Sequence, residues 1–223
     1  VSVPVFKIIY PSEAHKSLFK IVKASSVSSP DLKKIDRSHS NITKCSGFME
    51  MRDYGIIVRS CTSFCFKINS SGEYTMEYPS GSFQPDVVIH DTSQCSPFYD
   101  GYIPLKVSIP LSIREDTGVR CMYTGATTHN SKLYPDMHVP TGVISFKGNS
   151  GAHVFLMVRI PESGEKKYKV ESGDPLLQII PLCESYELEH VVDPFWVDLN
   201  SLTRPFDKSQ VKHTEKIVDY GKE

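Results

Sequence analysis

The chain carries almost no net charge: 25 lysines and arginines are set against 26 aspartates and glutamates, a formal charge of −1 over 223 residues. That balance excludes the basic footprint that duplex nucleic acid requires, because such binding draws on clustered cations that displace counterions from phosphates. Long apolar runs are missing as well. No stretch approaches the roughly 18 consecutive apolar residues of a membrane-crossing helix, so no membrane partner is expected. Residues 1–10 lack the basic start and apolar centre of a signal peptide, and secretion by that route is not expected. The first residue is valine. We expect that an initiator methionine, or something longer, has been removed.

Several chemical signatures are absent in turn. Gly47, Gly55 and Gly72 form no phosphate-cradling motif, and no strand–helix–strand alternation points to a doubly wound sheet. The six cysteines, Cys45, Cys61, Cys65, Cys95, Cys121 and Cys183, do not fall at zinc-finger intervals. They read as buried free thiols. A zinc site from Cys61, Cys65, Cys95 and a histidine is the minor alternative, since side chains four apart on a strand sit too far apart without a bend.

What is present is a succession of short apolar segments punctuated by turn residues, the pattern of an all-β chain. Residues 3–10 read as an opening strand, with Pro4 favouring an edge. Ser12 is placed to cap a short helix running to Lys23, with Leu18, Phe19 and Val22 on one face. Residues 24–42, rich in serine, lysine and aspartate, read as an exposed loop. Residues 56–58 are apolar. Residues 64–68 and 73–78 form a hairpin about a turn at residues 69–72. Further strands are expected from residue 105 up to Pro110 and over residues 119–124.

The segment 139–182 is the most informative. Residues 142–146 form a short strand, 148–151 a turn, and 152–160 a long apolar strand that Pro161 ends. After a polar loop at 162–167, residues 168–171 alternate. The turn Ser172-Gly173-Asp174-Pro175 then leads into Leu176-Leu177-Gln178-Ile179-Ile180. A run buried on both faces must satisfy any polar group within it, so Gln178 is expected to bond to neighbouring backbone.

This order of elements resembles the C-terminal half of the dUTPase and dCTP deaminase superfamily, whose members run from Gly-Val-Ile-Asp through a long apolar strand to Gly-Asp-x-x-Ala-Gln-Leu. Gly142-Val143-Ile144 matches the first strand; Gly173, Asp174 and Gln178 match the closing turn and glutamine. The resemblance places Ser145 where the enzymes carry the aspartate that activates water, and Phe146-Lys147 where an Asp-Tyr pair is expected. Tyr123-Thr124-Gly125-Ala126 replaces the phosphate-contacting Arg-Ser-Gly element. The deaminase glutamate has no counterpart in residues 154–158. A serine cannot serve as general base without a partner to take its own proton, so the resemblance implies the scaffold without the chemistry. The chain is also similar to an uncharacterised bacteriophage domain family, through Lys44 to Ser46 around Cys45 and through Gly173, Pro175, Gln178 and Pro181. That similarity implies a phage source and a location in the virion or the host cytoplasm.

The resulting expectation is a mainly β, single-domain β-sandwich or jelly roll of dUTPase-like type over residues 1–203, with one short N-terminal helix and a C-terminal arm over 204–223. Its function is expected to be that of a non-catalytic oligomeric structural or interaction protein without cofactor, trimeric by resemblance, whose partners are copies of itself or other virion proteins. Two alternatives stay open. In a divergent nucleotide binder or hydrolase using magnesium, Tyr123, Thr124, Gly125, Ser145, Phe146 and Gln178 would form the site, with Asp116, Asp136 or Asp174 as a relocated base. In a metal-dependent jelly-roll oxygenase, His129, Asp136, His138 and His153 would hold the metal. Phe195, Trp196 and Phe206 would dock on the core or anchor a neighbouring subunit.

Overall fold

A computed structural model describes residues 2–19, 21–27, 42–80, 87–89, 98–129, 136–147 and 150–193. The expected β class is found, with 50% strand and 13% helix among the described residues. Three sheets contribute to one core, an arrangement consistent with a β-sandwich.

The first sheet runs β14(Glu187–Val192), β1(Val5–Tyr10), β7(Tyr102–Arg114), β11(Ser150–Arg159), β9(Met137–His138), with β6(Val87–Ile89) also on β7. The second runs β10(Gly142–Ser145), β8(Arg120–Gly125), β13(Pro175–Pro181), β3(Ile56–Arg59), β2(Val22–Lys23). The third is β12(Glu165–Val170), β4(Phe64–Asn69) and β5(Tyr74–Glu77). Alternation places Phe6 and Ile8 of β1, Val154 and Leu156 of β11, Ile56 and Val58 of β3, and Phe64 and Phe66 of β4 in the shared core. The apolar run at β13 is buried from Leu176 to Pro181 and lies between β8 and β3, as a run without alternation requires.

The hairpin forms where the sequence places it. Cys65 pairs with Glu77 and Ile68 with Tyr74. Asn69 Oδ1 accepts from the backbone N–H groups of Ser71 (3.0 Å) and Glu73 (2.9 Å), while Gly72 takes a φ of 83° that suits glycine.

Other expectations are corrected. Strand β1 is interior, paired parallel with β14 and antiparallel with β7; Pro4 precedes its first residue and so costs no ladder bond. Strand β7 runs through Pro110, which sits at a register shift: Gly151 pairs with Ser112 and Ala152 with Ile109, so the ring falls where no partner needs its N–H. Helix α1(Glu13–Leu18) has Ser12 as its cap, with Ser12 Oγ accepting from His15 N at 3.3 Å, but it stops before Phe19; Val22 and Lys23 are strand. Leu18 is exposed, Phe19 is buried in the main core, and Val22 packs against the smaller cluster of Ala24, Val27, Ile57 and Ala126. Residues 24–26 form a 3-10 turn with Ala24 and Val27 buried, so the start of the expected loop is core. Residues 28–41, the arm at 204–223, Cys95, and Phe195, Trp196 and Phe206 lie outside the described residues.

Candidate functional site

Helix α2(Ser46–Asp53) covers the face of the second sheet turned away from the main core. Eight residues are too few to hold a helix alone, and its side chains are mostly polar, so contacts with the sheet must stabilise it. Gln178 supplies them from the middle of β13. Its backbone pairs with Ile57 and Thr124, and its side-chain Nε2 donates to the carbonyls of Met51 (2.8 Å), Arg52 (3.2 Å) and Tyr54 (2.8 Å). These are carbonyls that a helix C-terminus leaves without an internal partner. The polar residue inside the apolar strand is thus the anchor of α2.

The turn after α2 is equally constrained. Gly55 has a φ of 96°, and a Cβ there would collide with the carbonyl oxygen of Ile179. Its own carbonyl accepts from Ala24 N (2.8 Å) and from the Tyr186 hydroxyl (2.6 Å). Tyr54 donates to the Cys183 carbonyl at 2.6 Å, and burial pushes its hydroxyl up to about 12.

Between α2 and the sheet lies a small apolar cluster of Ala24, Val27, Ile57 and Ala126, with charged groups around it. Arg52 is buried; its Nη1 pairs with Asp53 and its Nη2 donates to Val27 O at 3.0 Å. Arg59 lies two residues beyond Ile57 and therefore on the same face of β3. His129, also buried, donates its backbone N–H to Ala126 O at 2.9 Å and holds Thr128 Oγ1 at 3.1 Å from its Nδ1. Burial, reinforced by the charges of Arg52 and Arg59, pushes the His129 imidazole down to about 4. It is neutral at physiological pH.

The other residues singled out from the sequence are not gathered into one place. Tyr123 reaches from β8 to β11, where its hydroxyl donates to His153 O and accepts from Phe155 N at 3.3 Å. It links the second sheet to the first, and burial raises its pKa. Phe146 is in the core, edge-on to Phe6 with centroids 6.3 Å apart. Ser145 is exposed and pairs with Arg120, at the far end of β8 from Thr124 and Gly125; its Oγ accepts from Lys147 N at 3.3 Å. Thr124 meets Thr141 across a 2.9 Å hydroxyl contact, and Gly125 is buried opposite Leu177. Asp116 accepts from Arg114 Nε at 2.6 Å, Asp136 pairs with Lys166, and Asp174 accepts from Glu171 N at 2.9 Å.

The four residues of the metal alternative are likewise scattered. His129 lies under α2, and Asp136 is held by Lys166. His138 packs between the rings of Tyr99 and Tyr102, each 5.1 Å away, and His153 is half-buried on β11. Among the described residues no three histidine, cysteine, aspartate or glutamate side chains converge as a metal site. Cys61, Cys65 and Cys121 are buried, as the sequence suggests, whereas Cys45 is exposed. Cys61 faces the core and its burial pushes the thiol up to about 11; Cys65 alternates with the core residues Phe64 and Phe66 and so faces the other way.

Sequence reasoning missed α2, Arg52 and Arg59. The signal available was the glutamine in β13, which requires backbone partners and so implies a covering element. No helix among the described residues is long and apolar enough to cross a membrane. No family model, no curated protein and no solved structure matches this chain.

Proposed function

We propose that this chain is a non-catalytic structural or interaction protein that works as an oligomer, a dUTPase-like scaffold turned to assembly in a phage particle or its host. The observation that carries this reading is the use to which the resembled enzyme's site positions are put. The Tyr123 hydroxyl bonds to the backbone of β11, the Phe146 ring fills the core, and the Gln178 amide holds α2. Each is consumed by the fold, and Ser145 offers no carboxylate to activate water. An exposed groove supports the reading. An open groove beside α2 is lined by Gly47, Glu50, Met51, Asp53, Tyr54 and Ile180, with Met51 exposed on it.

The test is the mass of the full chain by light scattering across a dilution series. A defined oligomer that persists to low micromolar concentration supports the reading. A monomer at every concentration contradicts it.

A further inference from the structure

The layer under α2 holds more cationic donor capacity than the fold uses. Arg52 is 6% exposed and His129 is 3% exposed. Arg52 Nε, Arg59 Nε and His129 Nε2 are all buried, and none has a hydrogen-bond partner among the described residues. Buried polar groups are costly to leave unmatched, the more so on charged side chains, and native structures satisfy nearly all of them. Three such groups around one four-residue apolar cluster therefore point to something that completes them.

The chemistry of the missing partner follows from the donors. Both guanidiniums are permanently protonated and donate only. His129 Nδ1 shares a hydrogen bond with Thr128 Oγ1, and in the tautomer that carries its hydrogen on Nε2 the imidazole is a third donor. Arg52 Nη2 donates to Val27 O, Arg59 shares a face of β3 with Ile57, and His129 N donates to Ala126 O, so the three residues border the same four-residue cluster. Asp53 offsets one cation only, through Arg52 Nη1, and Gln178 is committed to the carbonyls of α2. The partner must therefore bring acceptors and negative charge. A tetrahedral oxyanion offers several acceptor oxygens facing different directions, which suits donors arriving from a helix, a strand and a turn better than a planar carboxylate does.

We propose that Arg52, Arg59 and His129 form a binding site for a phosphate group, supplied by free inorganic phosphate or by a phosphorylated small molecule. The site lies apart from Ser145 and Phe146, so it needs no catalytic chemistry, and it reads the phosphate rather than a base. Arg59, partly open to solvent, is the residue an incoming anion meets first. Arg52 and His129 then take up the oxygens that face inward.

Calorimetric titration of the full chain with sodium phosphate, at an ionic strength fixed with sodium chloride, tests this. The wild type is expected to give saturable binding. In Arg59→Gln the Kd rises by about tenfold or more, the effect of losing one charge-assisted hydrogen bond. Arg59→Lys keeps the charge but loses the planar fork and is expected to fall between the two; it decides the matter if the melting curve shows Arg59→Gln unfolded. Parallel titrations with dUMP and phosphoserine separate the sources. Equal affinity for all three assigns the phosphate group alone, tighter binding of phosphoserine assigns its carrier, and tighter binding of dUMP overturns the claim that the base is not read. Absence of saturable heat in the wild type overturns the proposal, as does a wild-type Kd in either variant that folds.

Discussion

At the scale of single residues, most polar side chains buried in this protein are explained by backbone they satisfy. Glu115 is fully buried between β7 and β8, and its carboxylate accepts from the backbone N–H groups of Thr117 (2.6 Å), Gly118 (2.7 Å) and Val119 (3.0 Å). Glu115→Gln replaces one accepting oxygen with an NH2 that faces donors. We expect a loss of about 2–3 kcal/mol in urea unfolding, since charge-assisted bonds are the stronger class and unmatched buried donors are penalised. His129 predicts a pH dependence. Its folded pKa of about 4 lies below the ordinary value of 6.5, so between these limits the unfolded chain binds a proton that the folded chain refuses. Stability is therefore lost as pH falls from about 6.5 to about 4 and is insensitive to this group above that range. The groups acting on the ring are Arg52, Asp53, Arg59 and the Ala24 carbonyl. Comparison of unfolding free energies at pH 7 and pH 4.5 should give a drop that is smaller in His129→Gln than in the wild type by roughly 1–3 kcal/mol.

At the scale of elements, two side chains hydrogen-bond the backbone of neighbouring elements. Gln178 supplies the donor that the carbonyls at the end of α2 lack, and the Tyr123 hydroxyl bonds the backbone of β11 from the neighbouring sheet. Gln178→Leu keeps the volume of β13 roughly intact but leaves the carbonyls of Met51, Arg52 and Tyr54 without that donor. The expected cost is about 2–3 kcal/mol, with amide exchange accelerated across residues 46–55 more than in β7 or β11. Uniform acceleration throughout the molecule would show instead that α2 and the sheet open together. Tyr123→Phe removes both hydrogen bonds at the edge of β11 and should deprotect the Phe155 amide specifically, at about 1–2 kcal/mol.

The same elements show what was legible in the sequence. Period-two alternation and turn chemistry marked the β4–β5 hairpin, and the unbroken apolar run marked β13 as central, because both signals are local. The interior place of β1 was not legible, since it depends on β14, which joins it from 177 or more residues away and whose residues alternate weakly. Pro110 read as a strand end because the bulge that accommodates it is a property of the pairing with β11. Helix α2 was missed because a short polar helix has no strong period of its own; its reason lies in Gln178 and Arg52. The polar layer under α2 draws on residues 24–27, 52, 59, 129 and 178, which only the folded sheet brings together.

At the scale of the whole molecule, three sheets share one core while the helix-covered face of the second sheet carries the unused donors. The proposed account assigns these two regions separate roles, the core and strands to assembly and the layer under α2 to phosphate. The sequence assigns an arm to residues 204–223, and removing them is expected to reduce the assembly mass in light scattering; an unchanged mass would exclude the arm from assembly. Phosphate binding at Arg52, Arg59 and His129 would stabilise any phosphate-bearing compound's complex irrespective of its base, because a ligand that binds only the folded state raises the melting temperature by mass action.

That property makes one measurement decisive for the central claim, that the scaffold is non-catalytic. Melting temperatures of the full chain should be compared in dUTP, dCTP, the other nucleoside triphosphates and inorganic triphosphate, each with magnesium. The account predicts shifts that do not depend on the base and are matched by inorganic triphosphate. A shift selective for dUTP or dCTP would contradict it and would return the search to a relocated carboxylate near Ser145.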